Sequence, residues 1–232
     1  EFGVARPEMP VIILDHVVPA ANEKTATNHQ TSRKFVAQHK IPNFYDVGYG
    51  VCHQVLMEEG LALPSTIIVG SDSHTCSYGA VGAFSTGIDR TEAAALILRG
   101  ETWLRVPETI KMTLTGELKA PVSAKDLILS IIGQISAAGA SYQAVEFHGN
   151  VGALSIEERF TISNMGIEMG AKIAVFPVDD ATKTYLASIG VKEGDYETTW
   201  ADDDAKYIQE LTFDMSEIEP VVAAPHKVDN MK

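Results

Sequence analysis

Basic residues are scarce: 18 Lys and Arg stand against 31 Asp and Glu, a formal net charge of −13. No basic run interrupts the acidic balance, which makes nucleic acid and anionic membranes poor partners. Cysteine is scarcer still. Cys52 and Cys76 are too few for a disulfide framework and match no zinc spacing. No apolar run approaches the length that spans a bilayer, and the amino end carries no signal-peptide pattern. There are no internal repeats and no low-complexity segments. A cytoplasmic enzyme is the expectation these absences leave.

Core-forming material, by contrast, is plentiful. Hydrophobic residues make up 45% of the 232, with 18 Gly among the rest, enough for one large α/β domain or two smaller ones. Apolar runs at 11–14, 66–69 and 173–176 read as buried strands, 43–47 as a short strand and 144–147 as a further one. The alternation over 109–115 reads as a half-buried strand, and 207–213 as another, after a solvated turn at Asp202, Asp203 and Asp204. Helices are expected from Asn22 to about Lys40, over 51–59, from about Tyr78, after Asp89, over 127–136, from Ser155 through Met169, and over 180–189. Their start signals are capping residues: Asn22, Asp89 with Glu92, and Ser123 with Asp126. Two adjacent α/β/α lobes with mostly parallel sheets fit this order, 1–106 and 107–219. Residues 220–232 read as an extended connector. Because residue 1 is not Met and the far end leads onward, the chain is expected to be a piece of something longer.

The chemistry gathers at strand ends. After the strand at 66–69 come Asp72, Ser73 and His74, an acid, a hydroxyl and an imidazole in consecutive positions at the carboxyl end of a strand, where open α/β sheets collect ligands. Asp15 and His16 follow the first strand, and His53 stands in the first turn after the second. Glu146 lies in a strand of the second lobe. Parallel neighbours would line these residues along one rim. The plain structural reading is a capped turn, with Asp72 or Ser73 feeding helix amides and His74 merely exposed. Two functional readings stand beside it. The His and Asp side chains could chelate a divalent metal for hydrolysis. They could instead form His–carboxylate pairs that move protons, with another group as electrophile. Ser73 as a nucleophile is a weaker idea, because it lacks the Gly-x-Ser-x-Gly elbow.

Five segments carry a family resemblance. Leu14-Asp-His-Val-Val-Pro19, Gly50-Val-Cys-His-Gln54, Gly70-Ser-Asp-Ser-His-Thr75, Ala144-Val-Glu-Phe-His-Gly149 and Phe160-Thr-Ile-Ser-Asn-Met-Gly-Ile-Glu168 resemble motifs of the aconitase superfamily, in family order. Thr75-Cys-Ser-Tyr-Gly79 is more similar to the branch of 3-isopropylmalate dehydratase and homoaconitase large subunits. The resemblance implies lobes of the aconitase iron–sulfur domain type. It also implies a hydro-lyase that isomerises a hydroxy di- or tricarboxylate by dehydration and rehydration, in leucine biosynthesis for the dehydratase. The pairs it implies are Asp15 with His16, Asp72 with His53, and Glu146 with His74. Asp72, Ser73 and His74 would also contact substrate, and His16 would protonate the departing hydroxyl. A 4Fe-4S cluster would supply the electrophile, but the family's Ser-Cys-Thr-Asn and Cys-x-x-Cys ligand segments do not occur in this chain. Neither Cys52 nor Cys76 is expected to be a ligand. The carboxylate-clamping arginines and the proton-abstracting serine belong to later domains or to a small, swivel-domain subunit. Expected partners are therefore that subunit and a third domain of the same polypeptide.

Overall fold

The computed structural model describes residues 3–232. They form two compact units, one of 3–58 with 89–104 and the other of 59–88 with 105–232.

In the first unit, β1 (Val11–Ile13) and β2 (Asn43–Tyr45) pair in parallel, Val11 opposite Asn43. Between them runs α1 (Glu23–His39), opened as its cap predicts by the Asn22 side chain, which accepts from the Thr25 amide at 2.9 Å. The short α2 (Cys52–Glu58) follows β2. Asp89 caps α3 (Arg90–Arg99) by accepting from the Thr91 and Glu92 amides. Ala5 joins the amino-terminal segment to α3 through the Ile97 carbonyl.

In the second unit, β3 (Ile67–Gly70) pairs in parallel with β4 (Phe84–Gly87), a strand not expected from the sequence. Residues Ser73–Val81 between them form a 3-10 helix, so the helical conformation starts at Ser73 rather than near Tyr78. The larger sheet contains β5 (Thr109–Thr115), β6 (Ala144–Gly149), β7 (Ile173–Val175) and β8 (Gln209–Asp214). Its order is β7-β6-β5-β8, all parallel. The connections are α4 (Ala124–Ile135), α5 (Ile156–Asn164) and α6 (Asp180–Ser188). A 3-10 turn, Met165–Met169, takes over where the sequence predicts more α-helix.

The strand period of two splits the sheet into unlike faces. Ile110, Met112, Leu114, Val145, Phe147 and Phe213 join Leu127, Ile128, Ile131 and Ile162 in one buried core. Lys111, Glu146, His148 and Glu210 alternate with them and take the other face. Arg159 is fully buried in this unit and bonds Asp179, Thr182 and the Val151 carbonyl, tying α5 to the start of α6.

These units differ from a single cut near residue 106. Residues 59–88 go with the second unit because the 3-10 helix Ser73–Val81 runs along the edge of β7, with the Phe176 amide on the Gly79 carbonyl at 2.9 Å. That approach requires glycine: a Cβ at Gly79 would lie 1.9 Å from the Ala174 carbonyl oxygen. Asn164 adds a bond to Ser77 at 2.9 Å. Residues 220–232, expected as an extended connector, turn back on themselves through the Val222–Lys232 bonds and an Ala223–Met231 bridge. They also dock on α4, where Asp126 accepts from the Val221 amide. Among the described residues, no helix is long and apolar enough to cross a membrane.

Candidate active site

Asp15 and His16 meet directly. His16 Nδ1 lies 2.6 Å from Asp15 Oδ1, and Asp15 Oδ2 accepts from the Cys52 amide at 2.7 Å. The Asp15 side chain is 9% exposed and that of His16 72%, so a fixed carboxylate presents an accessible imidazole. Burial alone would raise the Asp15 carboxyl, but the Cys52 and His16 hydrogen bonds outweigh it and hold it below the usual carboxylate range. His29 Nε2 approaches the His16 carbonyl at 3.3 Å and steadies the loop. His53 sits half-buried on the first turn of α2, next to the residue whose amide holds Asp15.

In the second unit, Asp72 caps the 3-10 helix by accepting from the His74 amide at 2.8 Å. The plain capping expectation is therefore met, yet the same carboxylate also lies 3.5 Å from His74 Nδ1. Ser73 Oγ is 3.3 Å from that nitrogen, and Glu168 Oε1 is 3.7 Å from His74 Nε2. Asp72, Ser73 and His74 thus form one polar corner after β3, as their spacing predicts. Glu146 is on the non-core face of the sheet, where its Oε2 meets His148 Nε2 at 3.2 Å and the Tyr207 hydroxyl at 3.1 Å.

Sequence reasoning missed Glu168, His148 and Tyr207 as site neighbours. His148 had a signal, since two residues along a strand return to the same face. Tyr207 is 61 positions from Glu146 and had none. Among the described residues, no three His, Cys, Asp or Glu side chains are placed to hold a metal ion, so direct chelation finds no ligand set there.

The sequence matches the Aconitase family (aconitate hydratase) over residues 2–231. The chain belongs to the aconitase family. Its relatives include a probable methanogen homoaconitase large subunit from Methanosarcina mazei, 47% identical over 97% of this chain and 58% of that protein. The 3-isopropylmalate dehydratase large subunit 1 of Methanopyrus kandleri is 47% identical over 100% of this chain and 56% of its own length. A 3-isopropylmalate dehydratase large subunit from a Thermoanaerobacter species is 45% identical, over 95% and 53%. The chain therefore spans about half the length of the curated relatives it matches. Its α/β fold with parallel sheets agrees with the family expectation.

The residues of this aconitase-family chain do not fit the 4Fe-4S cluster that the family implies. Cys76 is 1% exposed, its Sγ bonds the Asn164 carbonyl, and burial pushes its thiol up to about 12. Cys52 is the one other cysteine. Two thiols, one locked in the protonated form, do not make a cluster site.

Proposed function

We propose that this chain supplies the acid–base half of a hydro-lyase of the 3-isopropylmalate dehydratase type, with homoaconitase as the neighbouring activity on the same branch. The relatives' names include both activities, and 3-isopropylmalate dehydratase is the more frequent. The substrate is a hydroxy di- or tricarboxylate. Water is lost across a carbon–carbon bond and returns with the hydroxyl on the other carbon.

The observation that carries this reading is the Asp15–His16 pair. A carboxylate on Nδ1 fixes the tautomer and raises the basicity of the ring, so proton exchange with substrate falls to Nε2. His16 protonates the departing hydroxyl and takes the proton back when water adds. The resemblance pairs Asp72 with His53 and Glu146 with His74; within the second unit, Glu146 meets His148 and Tyr207, while His74 meets Asp72 and Glu168. Asp72, Ser73 and His74 line the substrate.

Other parts come from later domains of the large subunit or from the small subunit. They are the cysteine-held 4Fe-4S cluster, the arginines for the substrate carboxylates and the serine that abstracts the carbon-bound proton. The name "large subunit" on the relatives supports a small-subunit partner. The setting is cytoplasmic leucine biosynthesis.

The test is Asp72→Asn in the complete protein with its small subunit. Asn keeps the cap on the His74 amide and removes only the charge. Turnover of 3-isopropylmalate is expected to fall about a hundredfold or more, the scale of a lost acid–base partner, with cluster content unchanged. Near-normal turnover would count against the relay.

A further inference from the structure

We propose that Tyr207 and His148 are positioning residues, which hold the Glu146 carboxylate in one orientation for proton transfer. The inference rests on the hydro-lyase reading and extends it to two residues outside the implied pairs.

Both bonds end on one oxygen. Glu146 Oε2 receives the Tyr207 hydroxyl at 3.1 Å and His148 Nε2 at 3.2 Å. An ionised carboxylate only accepts, so both partners donate: the phenol keeps its proton and His148 carries its own on Nε2. Two donors on one oxygen fix the orientation of the carboxylate.

The surroundings hold the donors in place. The Tyr207 ring meets the His148 ring edge-on, centroids 5.8 Å apart at 84°. Trp200 also packs against the imidazole, its ring tilted at 52° with centroids 5.1 Å apart. From β5, Lys111 Nζ stands 5.3 Å above the Tyr207 ring and pairs with Glu210 of β8 at 3.4 Å. From β7, the register partner of Glu146 is the apolar Val175. The charged and titratable groups around Glu146 are thus Lys111, His148, Tyr207 and Glu210, with the one acid among them already ion-paired.

A wall that only filled space would work equally well with Phe at 207. The hydroxyl is instead aimed at the carboxylate, and burial followed by the Glu146 charge pushes the phenol up to about 12. Tyr207 therefore remains a donor throughout the neutral range.

The experiment uses the complete protein with Tyr207→Phe and, as a second variant, His148→Gln. In each, kcat is expected to fall about tenfold with KM within twofold, the loss of one hydrogen bond to a charged group. A second readout needs no activity. The Tyr207 phenol, followed by its ring-carbon NMR signal, should titrate near 12 in the unmodified protein and measurably lower in Glu146→Gln. Kinetics left as in the unmodified protein by both variants would overturn the clamp, as would a Tyr207 titration indifferent to Glu146→Gln. An unmodified protein without hydro-lyase turnover would overturn the functional reading and with it any catalytic use of the clamp. The Tyr207 titration would still report whether the contact itself exists.

Discussion

Cys76 lies two residues beyond His74, 1% exposed, with its Sγ 3.4 Å from the Asn164 carbonyl oxygen. Burial, the largest influence, lifts its thiol to about 12. At pH 8 that leaves about one molecule in ten thousand as thiolate, the form that reacts. A disulfide-exchange reagent should therefore label no more than one cysteine of the native chain, and a Cys52→Ser variant none until denaturant is added. Rapid labelling of native Cys52→Ser at pH 8 would contradict the packing drawn around Cys76. Asp15 runs the opposite way: burial also works against its charge, but the Cys52 amide and His16 reverse the outcome. Neither result can be read from residue type. Asp15 with His16 was legible because the two are adjacent in sequence. The Tyr207 contact was not, because only the folded sheet brings position 207 to Glu146.

Among the elements, those with their own start signal were legible. The Ser123–Asp126 box closes as expected, with the Ser123 amide on Asp126 at 2.8 Å, and the alternation of Thr109–Thr115 matches β5 residue for residue. What escaped was set by packing from a distance. β4 carries Ser85 and Thr86 fully inside, so it has no apolar run to betray it. The 3-10 helix Ser73–Val81 is dictated by β7 lying against Gly79. The link from α5 to α6 was equally hidden. Arg159, 0% exposed, donates to Asp179 Oδ1 at 2.8 Å, and Asp179 caps α6 on the Thr182 amide. Asp179→Ala leaves the guanidinium buried and unpaired, for an expected loss of about 3–5 kcal/mol in urea unfolding. Asp179→Asn retains the cap and should lose less. The pH dependence follows from the depressed Asp179 carboxyl, which burial opposes and Arg159 more than restores. A depressed acid contributes stability that is fully present above its unfolded value of about 3.9 and fades as pH falls through the folded one. The gap between the unmodified chain and Asp179→Ala should thus be constant near neutrality and shrink under acid. A gap that widens on acidification would reverse the sign assigned to the pair.

At the scale of the whole molecule, the question is what these 232 residues can do by themselves. They contain two Cys in all, whereas the family's 4Fe-4S cluster takes three thiolates at the least. Cys76 is committed to the interior and Cys52 opens α2 beside the Asp15 site. Their relatives are nearly twice as long, this chain covering 58% and 56% of the first two. The chain brings imidazoles and carboxylates, which move protons but do not polarise a carbon–oxygen bond. Two of its arginines are held internally: Arg33 grips Asp46 and Arg159 grips Asp179. The isolated chain is accordingly expected to bind no stoichiometric cluster and to show no hydratase turnover. The four parallel strands of its second unit carry their own buried core and should keep their secondary structure. Apolar side chains left in solvent, Val17 at 54%, Tyr49 at 60% and Val51 at 61%, favour self-association. Anaerobic reconstitution with iron and sulfide, read by visible absorbance, hydratase assay and light scattering, checks all three expectations together. A stoichiometric cluster in the isolated chain would mean that its two cysteines bind iron despite their packing. Measurable turnover without a cluster would place the electrophile within these residues, and the proton-relay assignment would have to be redrawn around it.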